Sequence, residues 1–88
     1  MITLEEAQAI ARKFTIFPYP DDLGNETDDC WIFSFGLPPG PDGKLPGPGC
    51  YQYVSVDKAD GKATDIHMPS KEAFALLDRS RTIHLHWD

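Results

Sequence analysis

The sequence predicts an α+β fold: an antiparallel sheet of three to five strands with two helices packed on one face, in the order α-β-β-β-α and with room for extra edge strands. Three observations predict it. A capped amphipathic helix opens the chain, β-prone segments joined by turn residues fill its middle, and a short helical pattern follows them. At 88 residues the chain is one domain, 1–88, with a core that is real but thin. Five Phe, three Tyr and two Trp supply the large apolar units such a core needs.

Thr3-Leu4-Glu5-Glu6 reads as a capping box, in which the Thr3 hydroxyl accepts from the Glu6 backbone N–H and the Glu6 side chain reaches back. Leu4, Ala7, Ile10, Ala11 and Phe14 then recur at helical spacing and form one apolar stripe. Glu5 and Glu6 in the first turn and Arg12 and Lys13 in the last complement the helix dipole, so a helix is expected from Leu4 to about Phe14. Thr15 to Pro20 is β-prone but interrupted by Pro18 and Pro20, which suits an edge strand. Asp21 to Asp29 carries five acids in nine residues and reads as a solvated loop.

Cys30 to Phe35 reads as a strand with Trp31, Phe33 and Phe35 on one face and Cys30, Ile32 and Ser34 on the other. Gly36 to Gly49 holds five glycines and five prolines, which excludes regular structure and marks a functional or disordered loop. Cys50 to Asp57 returns as a strand, with Tyr51 and Tyr53 opposite Val54 and Val56. Asp57 to Lys62 is a hairpin turn, Asp60-Gly61 supplying its left-handed conformation, and Ala63 to Met68 is a third strand. Pro69 ends that strand and Ser70 caps a second helix, whose Phe74 and Leu77, with Ala73 and Leu76 beside them, are expected to face inward. Thr82 to Trp87 alternates strictly and suits a last short strand.

The charge balance narrows the function. Fourteen acids against eight bases give a formal net charge of −6. A nucleic-acid binder needs a basic stripe to displace counterions, and an anionic membrane repels such a chain, whereas a basic protein attracts it. No segment approaches eighteen consecutive apolar residues, and the N-terminus lacks the basic and apolar regions of a leader, so a cytoplasmic protein is expected. Two cysteines are too few for a disulfide scaffold; Cys30 and Cys50 are expected as buried thiols on neighbouring strands, with their pairing left open.

The constellations that carry chemistry are thin. His84-x-His86 has a spacing usable by a metal, but His67 and Asp88 are the only further candidates and no second ligand pair accompanies them. Both imidazoles are therefore expected to point to solvent, opposite Ile83, Leu85 and Trp87, with no metal and no cofactor. A nucleophile built from Cys30 or Cys50 and a histidine lacks an oriented third residue. Asp57 to Gly61 lacks the twelve-residue calcium loop with its closing Glu, and no phosphate-binding, dinucleotide or nucleophile-elbow motif occurs. Pro38-Pro39-Gly40-Pro41 is a minimal PxxP without basic flanks. Binding by a surface is the expected function and catalysis the weaker class. The candidate partner-binding residues are Asp21, Asp22, Glu26, Asp28 and Asp29 of the acidic segment, with Trp31, Tyr51 and Tyr53; the competing reading is that the aromatics are core, which suits Trp31 better than a surface role and the two tyrosines less.

The segments MITLEEAQAIARKF, WIFSF, YVSVDKADGKATDI and PSKEAFALLDR together resemble the immunity protein 35 family, the YrhB-like domain of bacterial polymorphic toxin systems. The resemblance runs from Thr3 to about Arg79; its most specific parts are Trp31-x-Phe33 and Val56-Asp57-Lys58 followed by Asp60-Gly61. It implies a small cytoplasmic protein that binds and neutralises a cognate toxin, with no catalysis and no cofactor; action by surface occlusion, as a monomer or weak homodimer, is the accompanying expectation. The Pro/Gly-rich central segment and the His-rich tail depart from the family pattern. The competing readings are a chaperone-like or structural binding module without a dedicated toxin, a small metal-dependent enzyme using His84 and His86, and a PepSY-like regulatory fragment.

Overall fold

In the computed structural model, residues 1–37, 51–66 and 70–87 are described. The expectations for the central loop, Cys50, His67, Met68, Pro69 and Asp88, and the PxxP at 38–41, lie outside the described residues. The elements run α1 (Leu4–Phe14), β1 (Tyr19–Pro20), β2 (Leu23–Glu26), β3 (Cys30–Gly36), β4 (Tyr51–Asp57), β5 (Ala63–Ile66), α2 (Lys71–Asp78) and β6 (Arg81–His84). The class is α+β, and the sheet is antiparallel throughout, in the order β5-β4-β3-β2-β6 with β1 also on β3. Among the described residues it has six strands; three to five with room for extra edge strands were expected, and the addition is an interior strand supplied by the acidic segment.

The local signals form what they specify. Thr3 and Glu6 exchange the two capping-box hydrogen bonds at 3.2 and 3.1 Å. Gly61 turns the β4–β5 hairpin at φ 77°, and a Cβ there would also meet Ile10 Cδ1 at 2.9 Å. The Ser70 hydroxyl accepts from the Ala73 N–H at 3.1 Å to cap α2.

Strand β3 organises the core. Its pairing with β4 runs from Cys30↔Asp57 to Gly36↔Tyr51, which places Trp31, Phe33 and Phe35 on the same face as Val54 and Val56. All five are buried there with Leu85, beneath Ala7 and Ala11 of α1. Two alanines at the contact let the helix backbone approach the sheet closely, while Leu4 and Ile10 pack at its margin. Phe14, the last residue of the expected stripe, is 42 % exposed. Trp87 closes the end of this layer, edge-on to Phe33 and Phe35 at 5.7 and 5.4 Å. The buried Gln8 amide donates to the His86 carbonyl at 2.8 Å and ties the chain end to α1.

The second helix lies across the other face, whereas both helices were expected on one. Register places Asn25 beside Ile32, and the Asn25 amide donates to the Ser80 hydroxyl just beyond α2 at 3.0 Å. At its other end Ala73 and Leu76 of α2 line a shallow pocket with Ile66 of the opposite edge strand. The chain must travel from edge strand β5 to edge strand β6, and the face already covered by α1 is closed to it. The helix phase also differs from expectation: Ala73 is buried and Leu76 and Leu77 half-buried, but Phe74 is 57 % exposed. Ala73, Leu76, Leu77 and Ser80 form the i, i+3, i+4, i+7 stripe, which leaves Phe74 on the outside.

Strand β2 replaces the expected solvated loop. Leu23-Gly24-Asn25-Glu26 has neither apolar alternation nor β-propensity, and pairing with β3 on one side and β6 on the other makes it a strand. Gly24 is buried, and a Cβ there would lie 2.8 Å from Leu85 Cδ1 and 3.0 Å from the Ile32 carbonyl oxygen. Thr27 then turns the chain: its buried hydroxyl accepts from the N–H groups of Asp29 and Cys30 at 3.2 and 3.1 Å.

Candidate functional site

The acidic segment is divided by β2 into three environments. Glu26 lies on the α1 face, opposite Trp31 in the register, where its carboxylate receives Lys58 Nζ at 2.6 Å and Arg81 at 3.3 Å. Lys58 Nζ also sits 5.0 Å from the Trp31 ring centroid, so one ammonium serves a carboxylate and an aromatic face. The hydrogen bond from Lys58 holds the Glu26 carboxyl below its ordinary value of 4.5; desolvation opposes this, and the charges of Lys58 and Arg81 add to it. A carboxyl with a depressed folded pKa stabilises the fold above its unfolded pKa, and the contribution disappears as pH falls through the folded value. Glu26→Gln is therefore expected to cost about 1 kcal/mol at pH 7 and to flatten the loss of stability below pH 4.5, measured by urea unfolding across a pH series.

Asp28 and Asp29 are exposed in the turn before β3, and the Asp29 carbonyl accepts from the Lys58 N–H at 2.9 Å. Asp21 and Asp22 lie towards the other end of β3, about 17 Å from Asp29 along the strand, where the Asp21 N–H donates to the Ser34 carbonyl. Both are exposed, and among the described residues neither has an ion-pair partner. Asp21 Oδ1 accepts from the Leu23 N–H at 3.1 Å, an Asx turn that fixes the backbone before β2.

That end of the sheet carries the aromatic residues that the core leaves out. Gly36 pairs with Tyr19 on one side and Tyr51 on the other, so two tyrosines flank a residue without a side chain in a single cross-strand row. In the next row Tyr53 pairs with Ser34 on the same face. Tyr19 and Tyr51 are half exposed, at 53 and 52 %, and Tyr51 meets Tyr53 edge-on at 5.8 Å. Tyr19 and Tyr51, with Asp21, Asp22, Ser34 and Gly36, line a shallow cleft of about 310 Å³. Burial raises the Tyr53 phenol pKa, and the nearby Tyr51 and Asp21 raise it further.

Of the sequence-derived candidates, the structure brings Asp21, Asp22, Tyr51 and Tyr53 together and separates the rest. Glu26 is committed to Lys58 and Arg81, and Asp28 and Asp29 stand at the far end. Trp31, 8 % exposed beneath Lys58, is core and not a surface anchor, because its face of β3 is the one α1 covers. Tyr19 and Gly36 were not anticipated. The proline-flanked Tyr19 in an expected edge strand was the available signal, but its placement beside residue 36 depends on a long-range pairing.

His84 and His86 are both exposed, and among the described residues no group of three His, Cys, Asp or Glu side chains could hold a metal. Cys30 is a half-buried free thiol with its Sγ 3.3 Å from the Thr27 hydroxyl. Among the described residues no helix is long and apolar enough to cross a membrane. No protein-family model matches the chain, and no curated protein or solved structure matches it.

Proposed function

We propose that this chain is an immunity protein that binds a cognate bacterial toxin and neutralises it by covering a basic surface. The observation that carries this reading is the cleft at the Gly36 end of the sheet, where Asp21 and Asp22 stand beside half-exposed Tyr19 and Tyr51. Tyrosines give large contact area at small entropic cost, and carboxylates that have no ion pair among the described residues need not be stripped from one of those cations before they meet a partner's. The net charge of −6 steers the encounter in the same direction. The resemblance of the helix, strand and hairpin segments to the immunity protein 35 family adds the identity of the partner class.

The test is co-expression with the toxin encoded beside this gene. Cells producing that toxin are expected to arrest, and this chain to restore growth and to co-elute with the toxin in a one-to-one complex. Growth arrest that persists at equal expression, with no complex formed, contradicts the proposal.

A further inference from the structure

We propose that the slot between Tyr19 and Tyr51 is a receptor for one arginine side chain of the partner protein. The inference rests on the binding function proposed above and specifies the chemistry that the same surface takes. Tyr19, Gly36 and Tyr51 are in register on three adjacent strands, so the two tyrosines are separated by two strand spacings, about 10 Å. A flat group about 3.4 Å thick in van der Waals contact with a ring on each side requires ring planes about 7 Å apart, and modest leaning of the side chains provides that. Gly36 itself places no side chain between the two tyrosines.

Charge selects the kind of flat group. Two carboxylates rim the cleft, and among the described residues none that lines it is cationic. The Asp21 carboxylate is also near enough to act on the Tyr53 phenol one row away. A planar cation satisfies both features. Guanidinium is planar, permanently charged and weakly hydrated; it stacks on aromatic faces and pairs side-on with carboxylates. Lysine offers the charge without the plane. A nucleobase offers the plane but brings a phosphate that the acidic rim repels.

The experiment is an NMR titration of the full chain, following backbone amide shifts, with Nα-acetyl-arginine N-methylamide and with its lysine and citrulline counterparts. Citrulline has the same plane without the charge. The expected result is saturable shifts at Tyr19, Gly36 and Tyr51, with the arginine amide about fivefold or more tighter than the lysine amide and no saturation by the citrulline amide. Asp21→Asn with Asp22→Asn keeps the Asx-turn acceptor at Asp21 and is expected to weaken the arginine amide by about tenfold, with the dispersed spectrum showing that the fold is retained. Shifts absent from these three amides, or equal for citrulline, overturn the proposal. The co-expression assay separates the two readings. An Asp21→Asn, Asp22→Asn chain that neutralises the toxin at full strength overturns the slot and leaves the immunity function standing. Arginine amide bound in the slot of a chain that neutralises nothing supports the slot and overturns the immunity function.

Discussion

Phe33→Ala is expected to leave the chain largely unfolded at 25 °C. Phe33 is fully buried at the centre of β3, between Val54 of β4 and the edge of Trp87, beneath α1. Truncating a buried phenylalanine costs about 3–5 kcal/mol, and a domain of this length has a total stability on the order of 5 kcal/mol. The thin core cannot collapse to fill the gap, since its neighbours are held by strand pairing on one side and by the alanine contact of α1 on the other. Circular dichroism and urea unfolding measure the effect. Phe33→Leu serves as the control, expected to lose about 1–1.5 kcal/mol and to remain folded. An unchanged urea midpoint for Phe33→Ala would contradict the placement of the core.

Reversing both charges at the cleft, Asp21→Lys with Asp22→Lys, is expected to abolish protection of toxin-producing cells. The same reversal at Asp28 and Asp29 is expected to retain it. Both pairs change the net charge by the same amount, so any difference between them reports position and not overall charge. Asp21 and Asp22 rim the tyrosine cleft, whereas Asp28 and Asp29 stand at the opposite end of β3. Like charges placed opposite a basic partner remove the steering and add a repulsive contact, for a loss of about 10- to 100-fold in association rate at low salt. Neither pair is buried, and because Asp21→Lys also removes the Asx-turn acceptor of Leu23, circular dichroism of both reversals accompanies the comparison.

What could be read from the sequence was local. The capping box of α1, the Ser70 cap, the Gly61 turn and the alternation of β3 and β4 each depend on residues within one turn or one strand, and each forms as its own chemistry requires. Strand β2 is the opposite case. Its Gly-Asn-Glu run argues for a loop, and only the strands on either side and the close approach of Leu85 to Gly24 make it a strand. That one insertion divides the acidic segment, so five acids adjacent in sequence do not form one patch. Phe74 shows a related failure: size suggested that it faces inward, while the smaller Ala73 sets the helix phase. The slot was invisible because its three parts, at positions 19, 36 and 51, meet only through the sheet register. The eight candidate residues were chosen by type, and half of them proved to share a surface.

Stopped-flow association of the chain with its toxin, measured over a series of salt concentrations for the native protein and the two paired reversals, tests the proposed mode of action most directly. Reversal at Asp21 and Asp22 should lower the association rate by about 10-fold or more at low salt and remove most of its salt dependence, while reversal at Asp28 and Asp29 changes it by about twofold or less. Equal effects from the two pairs, or none from either, would contradict a binding surface at the tyrosine end of the sheet.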